Sequence, residues 1–251
     1  MTELRTRLFT EYRRVQAQPL VGDRTASEGR LEWFRHLYRH NYARLFPRKD
    51  LRVLEIGCGE GWFVKVLLEN GIRDVTGIDL SPEDVAAGRD HFGLANLEVA
   101  DALDYLCEHP ASFDVIFAKD VLEHVERDSL CPLLTAVTEA LRPGGTAVFQ
   151  VPNMDWVMSP HERYMDLTHE VGFTRESLAE LGRLFFHEVD IRKVDYIIPK
   201  TLGTRMLFQP VRWLYLRLLW MHYRLVGGGA DGVWFDCREI AAVCRKPRQA
   251  A

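Results

Sequence analysis

Residues 53–63 read VLEIGCGEGWF. The apolar run 51–56 predicts a short strand that is buried on both faces of a sheet. Three glycines follow at every second position, beginning with Gly57, and apolar residues then recur at helical spacing from Trp62 onward. This order of strand, glycine turn and helix opens a nucleotide-type βαβ unit, in which glycine allows a tight turn and a close approach of the backbone to a ligand.

The glycine spacing excludes the common phosphate-binding loops. A dinucleotide fingerprint needs its third glycine where Trp62 stands, and a P-loop needs a lysine and a serine or threonine that are absent here. What remains is a glutamate, Glu55, followed by glycines without phosphate-binding groups. These residues predict a ligand that resembles a nucleoside but carries no phosphate.

Residues 53–63 resemble the first motif of the class I S-adenosylmethionine-dependent methyltransferases. Asp79 ends the predicted second strand, at about the distance from the glycines expected of an acid that binds ribose hydroxyls. A carboxylate suits a ribose diol because it can accept both O–H groups. Later segments strengthen the resemblance, namely LEHV at 122–125 and LRPGG at 141–145.

The resemblance implies a set of cofactor contacts. Asp101 would accept the adenine amino group, and the backbone N–H of Ala102 would meet a ring nitrogen; the alternative for Asp101 is that it only caps the following helix. The implied cofactor-binding residues are Glu55, Gly57, Cys58, Gly59, Asp79, Leu80, Asp101, Ala102 and Ala118.

The alternation of strands and helices predicts an α/β fold with a doubly wound, mostly parallel seven-stranded sheet. The predicted strands are 51–56, 75–79, 97–99, 112–118, 146–151, 185–196 and 238–245. Residues 1–50 are expected to form an N-terminal helical cover, and 51–251 the methyltransferase domain. An insertion, 198–236, separates the sixth strand from the seventh.

Composition limits the function further. With 251 residues and a net charge of −4, the chain fits one domain with additions and is no general nucleic-acid binder. Five cysteines without a CxxC pair argue against a disulfide framework or a cysteine zinc site. The N-terminus has no apolar signal core, and no run of ~20 apolar residues could span a membrane, so a cytoplasmic protein is expected.

The acceptor should lie at the carboxyl edge of the sheet, where ligands bind in open parallel sheets. The long loop after the fifth strand reaches this edge and contains His161 and His169, and His124 follows the fourth strand. An oxygen acceptor must lose a proton, so His124, His161 and His169 are the candidate catalytic bases.

Asp120, Glu123 and His124 have the i, i+3, i+4 spacing of one helix face. Two carboxylates and an imidazole on one face could hold Mg²⁺ or Mn²⁺. The alternative is that the histidine packs or forms hydrogen bonds locally without metal.

The insertion has a basic and aromatic helical pattern over 205–226. Trp213, Leu216, Trp220 and Tyr223 are expected to form one stripe along it. A lid, a dimer contact and a helix on the inner face of the membrane all remain open.

Several functions fit these features. The segment DLTHEVGFT, 166–174, resembles methyltransferases encoded with surface-polysaccharide enzymes and favours O-methylation of a sugar or glycan. A quinone or phenol O-methyltransferase and an N-methyltransferase are alternatives. A different class is a cofactor-binding partner subunit without activity, against which the intact cofactor motifs argue.

Overall fold

A computed structural model describes residues 7–8, 25–194, 202–228 and 233–248. Its centre is a sheet of seven strands. The strands are β1 Arg52–Ile56, β2 Asp74–Asp79, β3 Leu97–Val99, β4 Phe113–Lys119, β5 Leu141–Pro152, β6 Glu188–Lys193 and β7 Glu239–Arg245.

The helices lie between these strands in the alternating pattern expected of an α/β fold. They are α1 Thr25–Leu37, α2 Trp62–Glu69, α3 Pro82–Phe92, α4 Ala102–Glu108, α5 Arg127–Ala140, α6 Ser159–Tyr164, α7 Arg175–Phe185 and α8 Leu202–Leu225. Shorter turns are the π-helical turn Tyr38–Tyr42 and the 3₁₀ turns Ala43–Leu45 and Leu122–His124.

The strand order is β3-β2-β1-β4-β5-β7-β6. All neighbours pair in parallel except β7, which runs antiparallel to both β5 and β6. The predicted doubly wound, mostly parallel seven-stranded sheet is therefore confirmed.

The carboxyl ends of the parallel strands lie close to one level, which creates a single rim for binding. The β1, β2 and β4 ends align with one another, and β3 and β5 end beside their neighbours. The aligned pairs are Ile56–Ile78, Ile56–Ala118, Asp79–Val99 and Lys119–Gln150.

Each face of the sheet has its own core, because successive side chains in a strand point to opposite faces. Leu54 and Ile116 belong to one buried cluster, whereas Val53, Val115 and Phe117 belong to the other. Strands without polar alternation, such as β1, are covered by helices on both sides, as the apolar run predicts.

The N-terminal helical segment fastens onto the second of these cores. Phe63 of α2 is fully buried, and the rings of Phe34, Tyr38, Tyr42 and Phe46 lie with centroids 6.1–6.5 Å from its own. This contact places residues 34–46 over α2. Residues 1–6 and 9–24 of the predicted cover lie outside the described residues, and the division into 1–50 and 51–251 stays a prediction.

Strands β5 and β6 differ from their predicted bounds by more than one residue. Strand β5 begins at Leu141 and not at 146, and the register shifts between Phe113 and Val115 of the neighbouring β4. Gly144 has φ +77°, so this irregular strand segment uses glycine for a local change of direction. The sixth strand begins at Glu188, later than predicted, and ends at Lys193, while residues 195 and 196 of the predicted strand lie outside the described ranges.

The insertion between β6 and β7 contains α8, so its predicted helical conformation is confirmed. Residues 195–201 and 229–232 of this region are outside the described ranges. Among the helices that the structure describes, none has the length and apolar content needed to cross a membrane.

Candidate active site

The glycine turn after β1 is held by the backbone of β2. The N–H groups of Gly57 and Cys58 both donate to the carbonyl oxygen of Ile78, at 2.9 and 3.0 Å. Gly57 has φ +69°, and a Cβ there would lie 2.5 Å from Cγ2 of Val121. Both the backbone conformation and the neighbouring side chain therefore require glycine at this position.

At Gly59 the backbone conformation alone favours glycine. It has φ +51°, and a Cβ there would meet no atom within 4 Å. The N–H of Gly59 donates to Oδ2 of Asp79 at 2.7 Å, while Oδ1 of the same carboxylate accepts from the N–H of Ser81 at 2.8 Å. Asp79 thus ties the glycine turn to the end of β2, beside open space where a ligand can lie.

The Asp79 carboxylate remains suited to a ribose diol. Burial raises the pKa of Asp79, and the N–H donors of Ser81 and Gly59 oppose this rise by stabilising the charged form. Each carboxylate oxygen has a second lone pair that can accept a hydroxyl proton. Leu80, next along the rim, has an exposed apolar side chain.

Asp101 caps α4, as the alternative interpretation of this residue predicts. Its Oδ1 accepts from the N–H groups of Leu103 and Asp104, at 2.8 and 3.1 Å. The side chain is also exposed at the rim beside the end of β3. Capping and adenine binding are compatible, because a carboxylate has about four acceptor positions. The adenine contact of Asp101 and Ala102 stays a prediction.

Glu55 and Cys58 lie beneath the glycine turn. Glu55 is buried, and desolvation raises its pKa well above the usual range. Within the part of the chain described here, its Oε2 has no hydrogen-bond partner. A ligand group that donates a hydrogen bond would satisfy this oxygen, which fits the predicted role of Glu55 in binding the cofactor. Cys58 and Ala118 are buried and supply apolar surface at the same edge.

The predicted metal triad does not form as the helical spacing suggests. Asp120 adopts φ +53°, outside the helical region, and only Leu122–His124 forms a short 3₁₀ turn. Asp120, Glu123 and His124 therefore do not share one face of an α-helical turn, and Asp120 pairs with Lys119 instead. In its place, His169 joins Glu123 and His124, with one ligand atom from each lying within 4.8 Å of the others.

Backbone contacts bring the two histidines together. The N–H groups of Glu170 and Val171 donate to the carbonyl oxygen of Glu123, at 2.7 and 3.1 Å. The rings of His124 and His169 consequently lie 4.6 Å apart, edge to face. His161, the third predicted base, is on α6 with an exposed side chain and does not belong to this cluster.

Hydrogen bonds assign the same tautomer to both histidines. His124 Nδ1 lies 2.7 Å from the Thr168 hydroxyl, which donates its only proton to Asp166 at 2.7 Å; Nδ1 of His124 must therefore be the donor. His169 Nδ1 lies 2.8 Å from the carbonyl oxygen of Glu162, which can only accept. In both rings the lone pair is consequently on Nε2.

The electrostatics of the cluster favour a neutral His124. Burial, and then the neighbouring His169, lower the pKa of His124 to about 4. Glu123 is 2% exposed, and neither of its carboxyl oxygens has a hydrogen-bond partner in the described structure. Burial first, and then Asp120, raise the pKa of Glu123 well above its usual range.

The donor set Glu123, His124 and His169 fits a divalent cation. Imidazole and carboxylate ligands suit first-row transition ions. Metal-binding histidines typically donate their other N–H to a carbonyl or to a carboxylate network, as both rings do here. The unpartnered carboxyl group of Glu123 would find its missing interaction in such an ion.

Beside the cluster lies a buried polar chain that sequence reasoning missed. The Tyr42 hydroxyl donates to Oε1 of Gln150 at 2.5 Å, and the Gln150 amide donates to Glu239. Burial raises the pKa of Glu239 to about 8. The signal was present in the sequence, because Gln150 interrupts the apolar strand VFQVP. Asp166 and Thr168 were likewise not assigned a role in orienting His124.

The segment after α8 is fastened to the same rim. Nδ2 of Asn153 donates to the carbonyl oxygens of Trp234 and Cys237, at 2.6 and 2.9 Å. Arg238 donates to the buried carboxylate of Glu162 at 3.1 Å. These contacts join β5, α6 and the start of β7 around the candidate acceptor site.

A family model described as a methyltransferase domain matches residues 30–214. The chain belongs to this methyltransferase family. The match begins within α1 and ends within α8, so it contains the glycine turn, the histidine cluster and six of the seven strands.

Curated relatives match over a shorter length. A ubiquinone biosynthesis O-methyltransferase of Idiomarina loihiensis is 35% identical over 117 residues, 43% of this chain and 44% of that protein. One of Xylella fastidiosa is 36% identical over 103 residues, 39% of this chain and 41% of that protein. The match thus spans less than half the length of either relative.

Solved structures share the fold. A SAM dependent methyltransferase from Archaeoglobus fulgidus superposes with a TM-score of 0.60 at 22% identity, covering 84% of this chain and 94% of its own. A Burkholderia thailandensis 1,6-didemethyltoxoflavin-N1-methyltransferase, bound to S-adenosylhomocysteine, has a TM-score of 0.59 at 20% identity, with 97% and 87% coverage. The predicted class I fold and S-adenosylmethionine as cofactor of the class are confirmed.

Proposed function

We propose that this protein transfers a methyl group from S-adenosylmethionine to a hydroxyl oxygen of a small acceptor. The observation that carries the proposal is the orientation of His124, whose Nδ1–H is held by Thr168 and Asp166 so that Nε2 is the basic nitrogen. This histidine follows β4, next to the glycine turn of β1 in the sheet. The methyl donor S-adenosylmethionine and the base His124 would therefore face the same crevice.

The reaction balances with the residues present. The acceptor oxygen forms a bond to the methyl carbon, and the electron pair of the breaking carbon–sulfur bond returns to sulfur as S-adenosylhomocysteine leaves. The hydroxyl proton passes to Nε2 of His124. Alignment of oxygen, carbon and sulfur supplies much of the rate in such an in-line displacement.

A phenol or quinone precursor is the favoured acceptor. Two relatives from different organisms are named ubiquinone biosynthesis O-methyltransferases. The chemistry supports the same choice, because the pKa of a phenol is ~10, whereas the pKa of an aliphatic hydroxyl is close to that of water, ~15.7. With the same base, a phenol therefore loses its proton far more readily than an aliphatic hydroxyl, and this matters for His124, because its lowered pKa makes it a weak base.

O-methylation of a sugar or glycan hydroxyl is the second candidate. The segment 166–174, which resembles methyltransferases of polysaccharide modification, supplies Asp166, Thr168 and His169 to the site. An aliphatic hydroxyl needs stronger activation than a phenol. A divalent ion bound by Glu123, His124 and His169 would lower the pKa of such a hydroxyl.

The test is turnover of a labelled methyl group. Purified protein is given S-adenosylmethionine with a labelled methyl and, in separate reactions, a catechol or hydroxylated quinone precursor, a glycan fraction and an amine. Each reaction is run with a chelator and with added Mn²⁺. We expect label in an ether of the phenolic acceptor. Label in the glycan selects the second candidate, and label only in the amine contradicts oxygen transfer.

Variants test the assigned base. His124→Ala is expected to lose about 10²-fold or more in turnover with unchanged cofactor affinity, because a positioned base contributes ~10²–10⁴-fold. His187→Ala is the matched control, since His187 is exposed outside the rim. Wild-type turnover in His124→Ala would refute the role of His124. Cofactor binding with no turnover on any acceptor would favour the partner-subunit alternative.

A further inference from the structure

Helix α8 exposes a continuous apolar stripe. Val211, Leu214, Leu218, Met221 and Leu225 follow each other at intervals of three and four residues, and each is 50–78% exposed. Residues at this spacing lie on one side of a helix. A stripe of five large apolar side chains in solvent is unusual for a soluble protein and indicates a contact surface.

The opposite side of α8 faces the protein. Leu216, Leu219 and Tyr223 are half-buried, and the ring of Tyr223 lies 6.2 Å from that of Phe235. Arg212 donates to the carbonyl oxygen of Asp236 at 3.1 Å. The stripe predicted from the sequence therefore splits: its Leu216 and Tyr223 turn towards the domain, while Trp213 and Trp220 stay exposed.

The exposed side of α8 is basic as well as apolar. The helix contains no aspartate or glutamate. The Arg217 guanidinium lies 5.2 Å from the ring centroid of Trp213, and that of Arg224 lies 4.7 Å from the ring centroid of Trp220. Both pairs flank the apolar stripe on the same side. Arginine and tryptophan are the residues that anchor a helix at the level of lipid headgroups.

A second copy of the helix offers no partner for these charges. If two stripes packed antiparallel, Arg217 and Arg224 of one copy would border the same arginines of the other. If the stripes packed parallel, these arginines would border Tyr215 and His222, neither of which is an acid. Anionic lipid provides the opposite charge along the whole flank together with an apolar layer for the stripe.

We propose that α8 lies in the interface of an anionic lipid bilayer, with the stripe 211–225 towards the acyl chains and Arg217 and Arg224 at the phosphates. The segment that contains α8 connects the end of β6 to the start of β7 at the rim, where Lys193 of β6 pairs with Ile240 of β7. Membrane contact through α8 would thus hold the candidate acceptor site against the lipid surface. The proposal is independent of which acceptor is methylated.

The test is flotation of the full chain with phosphatidylcholine vesicles that contain or lack phosphatidylglycerol, at low and high salt. We expect binding to the anionic vesicles only, weakened by salt. Replacing both arginines, Arg217→Gln with Arg224→Gln, should weaken partitioning ~30-fold, at roughly fivefold for each charge near the surface. Leu214→Gln with Leu218→Gln should weaken it by at least about tenfold.

Leu184→Gln is the matched control, because Leu184 is a comparably exposed apolar residue on α7. It should bind vesicles like the wild type. Calorimetry with S-adenosylhomocysteine checks that each variant remains folded. Absence of vesicle binding by folded wild-type protein, or equal binding to neutral vesicles, would overturn the proposal. A dimer in sedimentation that Leu214→Gln with Leu218→Gln converts to a monomer, without vesicle binding, would assign the stripe to a second copy.

Discussion

The two halves of the rim satisfy their polar groups in different ways. In the cofactor half, formed by Gly57–Gly61, Asp79 and Asp101, the carboxylates accept from backbone N–H groups of adjoining turns. In the acceptor half, formed by Glu123, His124 and His169, both oxygens of the buried Glu123 carboxyl lack a hydrogen-bond partner in the described structure, whereas Glu55, beside the glycine turn, lacks one at Oε2 only.

This difference indicates that the two halves are preorganised for their ligands to different extents. The cofactor half is held in shape before any ligand binds, since its backbone bonds are already made. The acceptor half holds two imidazoles in one tautomer but leaves Glu123 dependent on another group. A buried carboxyl without a partner is costly, so its retention at a rim suggests a role in binding or catalysis.

The largest expected effect lies in the cofactor half. Asp79→Ala removes the proposed acceptor of two ribose hydroxyls and the observed acceptor of the Gly59 and Ser81 N–H groups. It should weaken S-adenosylmethionine binding by roughly 2–4 kcal/mol, taking ~1.5–3 kcal/mol for each bond to a charged group less solvent competition. Isothermal calorimetry measures the change.

Asp90→Ala, an exposed carboxylate on α3, is the control for that titration. Asp101→Asn sharpens it further, because asparagine caps a helix as well as aspartate but presents an amide donor to the adenine amino group. Asp101→Asn should keep thermal stability and lose affinity. Unchanged affinity in Asp79→Ala would remove the ribose assignment altogether.

The acceptor half is tested by metal binding without turnover. Glu123→Gln keeps the side-chain shape but cannot ionise to a carboxylate when a cation binds, so Mn²⁺ affinity should fall by at least the ~10–100-fold typical of losing an outer partner of a metal ligand. Electron paramagnetic resonance of free Mn²⁺ gives this affinity directly. Glu126→Gln, close by in the chain, serves as the control.

Wild-type protein that binds no Mn²⁺ would leave Glu123 as a group for the acceptor and not for a cation. Equal Mn²⁺ affinity in wild type and Glu123→Gln would place the ion elsewhere. Either result would mean that the acceptor half, like the cofactor half, is complete without a metal ion.

The smallest expected effect concerns how α3 supports the cofactor half. A Cβ on Gly88 would lie 2.4 Å from the backbone oxygen of Glu60 in the glycine turn. Gly88→Ala should therefore lower the free energy of unfolding by about 1–2 kcal/mol, an overpacking cost partly offset by the better helix propensity of alanine.

Gly29→Ala is the matched change in α1, where a Cβ would meet nothing within 4 Å. It should raise the free energy of unfolding by roughly 0.5–1 kcal/mol. Urea denaturation compares both variants with the wild type. If the two substitutions had the same sign, the close packing of α3 on the glycine turn would not limit stability.

The sequence alone was sufficient for the sheet, the order of its elements and the positions of Asp79 and Asp101 at the rim, while their contacts with the cofactor stay a prediction. These features depend on local patterns: an apolar strand, glycines with positive φ, and acids that directly follow strands. The carboxyl ends of neighbouring parallel strands meet at one edge of the sheet, so Asp79 and Asp101 could be assigned to the same edge without coordinates.

Only the tertiary structure decided the acceptor half and the surface of α8. The spacing of Asp120, Glu123 and His124 predicts one helix face, but the positive φ of Asp120 ends that pattern. His169 joins the cluster because the loop donates to the Glu123 carbonyl, a contact between residues distant in sequence. The side of α8 left in solvent depends likewise on what Leu216 and Tyr223 touch, because helical periodicity defines a stripe but not the direction it faces.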